Sequence, residues 1–527
     1  MTGFNSSVSS ASSASALLPT EIHDLIIEVS AADQSISQGH ILKLALINRQ
    51  FAATALKCLY GRVYDRVGLD PTRDPRFWRT IMLPMCRETY RSYILDLRWL
   101  ALDRLPVAMD ELNGRPLNMR FYTDVVTVMV RFFEQQQQAG RAPSIQHVVE
   151  TNFLNSKLLI RLVASLPKLR CLDLYNNPST VDHELGAALA KTNFCKLLLR
   201  DENDPWAWSW SSGTNVSHFL IALGPNRLQT LYCNDESPNW LADLAHHSLS
   251  LKELHFKDEI SYTRLPLLAP CTSIECLYVQ HTIPPSGSEA SGSTQAIGQW
   301  LANCKRLRSI VLERTWSAFE IALPALKDGR QLEILLLHSI NEYWDSEYVR
   351  GVLETLASGG ASQLHGFSLE VLRPSGVFAS ETDQEFNKQV ISAVLAAPKL
   401  QQLALSGSRF SFSADEISRF LRASPNLSVF ALENHVTIDD GELKLITSSM
   451  ARVEMIHLYG PTIVTAAGLD AMLAALEDVS NISGKEGIIG LFRQSRDGEA
   501  NSTWKQLRRL QAAFQARGYR LMVGGRA

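Results

Sequence analysis

The sequence predicts an α/β solenoid, with parallel strands on a concave face, helices on a convex face, and a small all-α domain ahead of them. Three observations predict it. One six-residue apolar frame recurs along most of the chain. Stretches of helical periodicity separate its copies. Residues 17–64 carry a different pattern of short helices.

The frame reads apolar, two free positions, apolar, one free position, apolar. Its first clear copy is Leu169, Leu172 and Leu174, followed by Asn176 and Asn177. Later copies centre on Leu197, Leu231, Leu254, Leu277, Ile310, Leu335, Phe367, Leu403, Phe430 and Ile456, and Ile145 with Val148 forms a weaker early one. The centres lie 23 to 36 residues apart. Many intervals fall in the range of roughly 20–29 residues typical of leucine-rich repeats, and the longer ones imply inserted loops. The array therefore resembles degenerate leucine-rich repeats, with the closing Asn of the strict motif kept at Asn177 and lost from most copies.

Between the frames, Ile297, Trp300, Leu301 and Cys304 share one helical face, as do Val349, Val352, Leu353 and Leu356, and Leu469, Met472, Leu473 and Leu476. Several helices run into a proline just before the next frame, at Pro167, Pro398 and Pro425. Proline cannot continue a helix, so the strand begins shortly after it. A single strand–helix unit cannot bury its own apolar side, whereas a stack buries a continuous aliphatic ladder. The competing reading is another α/β array with buried strands. Residues 141–527 are assigned to the solenoid and 65–140 to linking helices and its start, with a strand expected over Tyr93–Leu97.

The 527 residues are 46% hydrophobic and 20% charged, with a formal net charge of −3. That balance offers no concentrated basic face for nucleic acid. No apolar run is long enough to span a bilayer, so no membrane partner is expected. Residues 1–16, rich in Ser, are expected to be a disordered tail without a secretory signal. The eight cysteines are scattered, with no CxxC pair. Reduced, mostly buried thiols in the cytoplasm or nucleus are the expectation, with Asn-x-Ser/Thr triplets unused. Phosphate-loop, dinucleotide, hydrolase-elbow and HExxH patterns are all missing from the chain, so no cofactor, metal or catalytic residue is assigned. Gly484, Gly487 and Gly490 are wrongly spaced for a phosphate loop. Gln135 to Gln138 read as the solvated end of a helix.

The N-terminal pattern opens Leu18-Pro19-Thr20-Glu21-Ile22, followed by Leu25 and Ile26. A second helix runs through Leu42, Leu46 and Arg49 to Phe51, and a third ends at Leu59-Tyr60. Phe51 stands where Trp is commoner, and the link from Ile27 to His40 is longer than usual. The stretch resembles an F-box, the module by which ubiquitin-ligase receptors dock a Skp-family adaptor. The order of helical module and degenerate repeats resembles fungal F-box proteins. That resemblance implies a substrate-recognition subunit of a cullin-type (Skp-cullin-F-box) ligase, non-catalytic itself. It implies adaptor contact through Leu18, Pro19, Ile22, Leu25, Ile26, Leu46 and Phe51. The alternative is a helical cap on a repeat scaffold unconnected with ubiquitin.

Within each strand the free positions alternate onto the concave face. They place Tyr175, Arg200, Tyr232, His255, Tyr278, His338, His457 and Tyr459 there as candidate contacts for a protein substrate, together with Asp173, Leu198, Lys257, Gln280, Val311, Glu313, Leu336, Ser368 and Glu370. Tyrosine, histidine and arginine suit such a face because they combine rigid area with a polar tip. Trp206, Trp208 and Trp210 would share one side of an extended strand, or fold back onto the solenoid. His246 and His247, beside Asp258 and Glu259, are adjacent on a helix and diverge, which argues against a shared metal.

Overall fold

The computed structural model describes residues 95–102 except 96, residues 119–474 apart from several stretches, and, further on, residue 512 and the strands 487–492 and 519–524. The longest stretches left out are 201–212, 373–380, 434–439 and 446–454. The F-box-like residues 17–64, the Ser-rich start, the expected strand residues Tyr93 and Ile94, the Trp206–Trp210 run and most of the last predicted helical face (Leu469 to Leu476) lie outside the described residues. Two compact units divide the chain, the first being Met1–Pro205 with Asn215–Arg227, the second Trp206–Thr214 with Leu228–Ala527.

Among the described residues of the first unit, four strands pair in parallel and in chain order. They are β1 (Trp99–Ala101), β2 (His147–Thr151), β3 (Cys171–Tyr175) and β4 (Lys196–Arg200). Returning segments are α1 (Met119–Gln138), α2 (Ser156–Ala164), α3 (His183–Leu189) and α4 (Gly213–Leu223). Parallel neighbours require such crossovers. The centres Leu100, Val148, Leu172 and Leu197 fall in one register row, all fully buried. Each leucine removed from water this way is worth roughly 1.5–3 kcal/mol. Side chains start two of the helices: Asn155 accepts from the Leu158 N–H at 2.9 Å, and Asp182 from the Leu185 N–H at 2.8 Å.

The expectation for the first strand needs correction. The strand is Trp99–Ala101, beyond Leu97, because Leu97, Leu100 and Leu102 form a frame copy that the sequence reading passed over. The carbonyl of Arg98 accepts from both Gln146 and His147, which fixes that register. In β2 the third frame position is Glu150, buried, and its Oε1 accepts from the Leu154 N–H at 2.8 Å. A carboxylate in a leucine position explains why this copy reads as weak.

In the second unit eleven parallel strands follow one another in chain order: β5 (Thr230–Cys233), β6 (Glu253–Ser261), β7 (Cys276–Ile283), β8 (Ser309–Thr315), β9 (Ile334–Tyr343), β10 (Gly366–Leu372), β11 (Gln402–Gly407), β12 (Val429–Glu433), β13 (Met455–Tyr459), β14 (Gly487–Phe492) and β15 (Tyr519–Gly524). The frame centres from Leu231 to Ile456 occupy one register row. Gly487 and Gly490 belong to β14, a strand rather than a loop.

The helices α5 (Glu289–Asn303), α6 (Ala318–Lys327), α7 (Glu347–Thr355), α8 (Glu381–Leu395) and α9 (Ala414–Ala423) pack on one another in sequence, and α6 rests on β8 and β9. Both predicted faces, Ile297 to Cys304 and Val349 to Leu356, are buried. Two returns differ from the helices expected: Leu241–His247 and Tyr262–Leu268 are 3-10 segments. Those belong to the shortest repeats, where a tighter helix spans more length per residue. A recurring turn then feeds the next strand, as in Leu169 N–H to the Leu166 carbonyl, Leu364 to Ala361, and Leu427 to Ser424. Each unit is thus a stretch of α/β leucine-rich-repeat solenoid.

Candidate functional site

The strand face of the second unit is uneven. β6 to β10 run seven to ten residues, against four for β5 and five for β12. Register shifts after Phe256 in β6 and after Leu312 in β8 carry these strands past the frame and into a second short pairing, Glu259 with His281 and Thr315 with Ser339. Bulges of this kind re-aim side chains. Arg314 sits in the β8 irregularity with a left-handed backbone, φ 44°.

Between the two buried frame positions, one outward row reads Tyr232, His255, Tyr278, Val311, Leu336, Ser368, Ala404 and Ala431 along β5 to β12. The row begins with rings and ends with methyl and hydroxymethyl groups. The rings of Tyr232 and His255 stack at 5.7 Å, and those of His255 and Tyr278 at 5.8 Å. Lys257 lies over the Tyr232 ring at 5.3 Å, a cation–π contact. Where the row shrinks, a depression of about 570 Å³ opens, walled by Lys257, Glu259, His281, Glu313, His338 and Glu370 and floored by Ser368, Ala404 and Ser406.

Its polar walls are tied in pairs across neighbouring strands. The Tyr278 hydroxyl donates to Glu313 Oε2 at 3.1 Å. Burial first, and then that carboxylate, push the Tyr278 hydroxyl up to about 12, so it stays a proton donor. His281 Nδ1 lies 2.8 Å from Glu259, and His338 Nδ1 lies 3.3 Å from Glu370, while His338 Nε2 and the Ser368 hydroxyl are 2.8 Å apart. Three carboxylates are therefore held at fixed positions by ring donors.

Behind the groove a polar knot fastens the ends of β8 and β9 to α6. Glu342 Oε2 accepts from the Phe319 N–H at 2.8 Å and Oε1 from the Glu320 N–H at 3.0 Å. Asn341 accepts from the Ser317 N–H at 2.6 Å. Ser317 itself gives α6 no side-chain cap, and its φ is 50°. A carboxylate from the neighbouring repeat thus satisfies this helix start. Burial raises the Glu342 carboxyl to about 7, against the opposing pull of these N–H bonds.

The other predicted contact residues fall elsewhere. In the first unit Tyr175 and Arg200 are register partners, with the guanidinium 5.6 Å above the ring. Arg200 Nε is 3.1 Å from Asp173, and Asp173 and Leu198 are buried rather than presented. Cys171 Sγ lies 3.3 Å from His147 Nε2, a nucleophile–base pairing in outline. Burial, with Asp173 adding to it, pushes that thiol up to about 12, and Asp173 approaches the same ring nitrogen, at 4.0 Å, so the imidazole is not oriented as a base. His457, on β13, faces Ala431 and Gly490 in register, and Tyr459 pairs with Glu433 and Phe492. His246 is exposed while His247 is buried and accepts from the Leu228 N–H, so the two diverge as expected.

Glu259, His281, Arg314, Ala404 and Ser406 join the site without having been legible as contacts in the sequence. Glu259 lies beyond one register shift and Arg314 within another, and no local pattern announces either. Among the described residues, the six cysteines are free, and no helix is long and apolar enough to cross a membrane.

No family model matches the chain, and no curated protein matches it. Among solved structures the chain is similar to an internalin from Listeria monocytogenes, at 15% identity over 63% of this chain and 76% of that one, with a TM-score of 0.32. The fold assignment rests instead on the strand register and the buried frame described above.

Proposed function

We propose that the chain is a substrate-recognition subunit of a Skp-cullin-F-box type ubiquitin ligase. Its repeats hold a protein partner on the strand face of the second unit. Its F-box-like residues 17–64 dock a Skp-family adaptor. The observation that supports partner binding is the groove on β6 to β11, bordered by stacked rings and oriented carboxylates. Concave sites with a few fixed polar groups are where ligands and partners gather. The adaptor half of the reading rests on the sequence resemblance from Leu18 to Tyr60. In such an arrangement the chain contributes proximity, raising the effective concentration of a target lysine near a charged ubiquitin carrier, while the bond-making belongs to other subunits.

Capture by a purified Skp-family adaptor tests it. Wild-type chain is retained at micromolar concentration, and the double variant Ile22→Asp, Leu25→Asp is not, while both melt alike. Removing apolar anchors from an interface centre costs several kcal/mol, so the loss should exceed about a hundredfold. No retention of wild-type chain overturns the ligase reading and leaves a repeat scaffold that binds partners without ubiquitin.

A further inference from the structure

We propose that the groove of the second unit selects a basic segment of its partner, one presenting arginine or lysine beside an apolar residue. This rests on the reading of that face as the partner surface. Three carboxylates, Glu259, Glu313 and Glu370, line the groove on alternate strands β6, β8 and β10. Their partners across the intervening strands are the imidazoles of His281 and His338 and the hydroxyl of Tyr278. Those contacts tie each carboxylate to a side chain of the neighbouring strand.

Two cations share the lining. Lys257 is drawn aside over the Tyr232 ring, and Arg314 is exposed. Three carboxylates against these two cations leave the fixed charge of the lining acidic on balance. Strands spaced by about 4.8 Å set alternate strands roughly 10 Å apart, which suits basic side chains along an extended peptide lying across the strands. A guanidinium donates two parallel hydrogen bonds to one carboxylate, so arginine matches these fixed acceptors best. Beside the carboxylates, the half-buried Tyr278 and Leu336 supply apolar surface for a flanking aliphatic side chain, with Val311 buried between them in the same row. The small residues Ser368, Ala404 and Ser406 leave the depth that a long basic side chain needs.

Fluorescence anisotropy with the full chain tests this. Three labelled nonapeptides share one Gly/Ser/Leu frame and carry three Arg, three Gln or three Glu. The Arg peptide should bind at least about tenfold more tightly than the Gln peptide, the Glu peptide least, with the advantage shrinking in high salt. The double variant Glu313→Gln, Glu370→Gln should lower Arg-peptide affinity about tenfold, and Ala404→Lys, which sets a cation on the groove floor, should do the same. Glu134→Gln, at a salt bridge on the helices of the first unit, should change nothing. Tighter binding of the Glu peptide, no preference among the three, or Arg-peptide affinity untouched by both groove variants overturns the proposal. Adaptor capture is measured on the same preparations: capture without peptide selection overturns the groove alone, and selection without capture overturns the ligase reading alone.

Discussion

Glu342 shows how much a single residue does here that its neighbours in sequence do not announce. It lies in an ordinary polar stretch, Ser339-Ile340-Asn341-Glu342, yet it caps a helix that starts more than twenty residues earlier. Its folded-state carboxyl is raised from 4.5 to about 7 by burial. A raised acid binds its proton more tightly when folded, so its contribution to stability is fully present below about 4.5 and is lost as pH climbs through about 7. Wild-type chain should therefore lose roughly 1–3 kcal/mol between pH 5 and pH 8 relative to Glu342→Gln, read as the difference between their denaturation profiles. Gly186 is a second case. A Cβ there would stand 2.5 Å from the Phe219 carbonyl oxygen and 3.1 Å from the Ala222 methyl. Gly186→Ala should destabilise by about 1–3 kcal/mol despite alanine's better helix propensity, because two helices must move apart. A rise in melting temperature would contradict that close contact.

At the level of elements, the frame was legible because it is a steric requirement repeated many times. Two apolar residues spaced by one must enter the core of each strand, and from the Leu172 copy to the Phe430 copy they do. A copy is harder to read where another residue fills a frame position: Glu150 makes the β2 copy weak, and Glu486 stands where an apolar residue would open the frame of Ile489 and Leu491 in β14. Return segments were less legible, since a seven-residue 3-10 turn and a helical turn share the same apolar spacing over so short a span. The strand extensions past the frame in β6 to β10 had no sequence signal at all, being set by bulges that depend on the neighbouring strand. The alternation of faces makes a sharp prediction in β9. Leu335 is fully buried and Leu336 stands in the outward row. Leu335→Ala should cost about 2–5 kcal/mol and Leu336→Ala under about 1.5 kcal/mol. Hydrogen exchange of β8 to β10 amides reads both; equal deprotection in the two variants would refute the assignment.

For the molecule as a whole, the proposed function divides two docking tasks between separate parts of one chain. A stack in which each repeat touches only its neighbours suits this division, because a change of surface at one repeat leaves distant repeats folded. Quantitative affinity capture from cells, comparing wild type with the double variants Ile22→Asp, Leu25→Asp and Glu313→Gln, Glu370→Gln, tests the separation. The account predicts that the first variant loses adaptor and cullin but keeps its other partners, and that the second keeps adaptor and cullin but loses a partner carrying a basic segment. Loss of the same proteins by both variants, or of none by either, would contradict it.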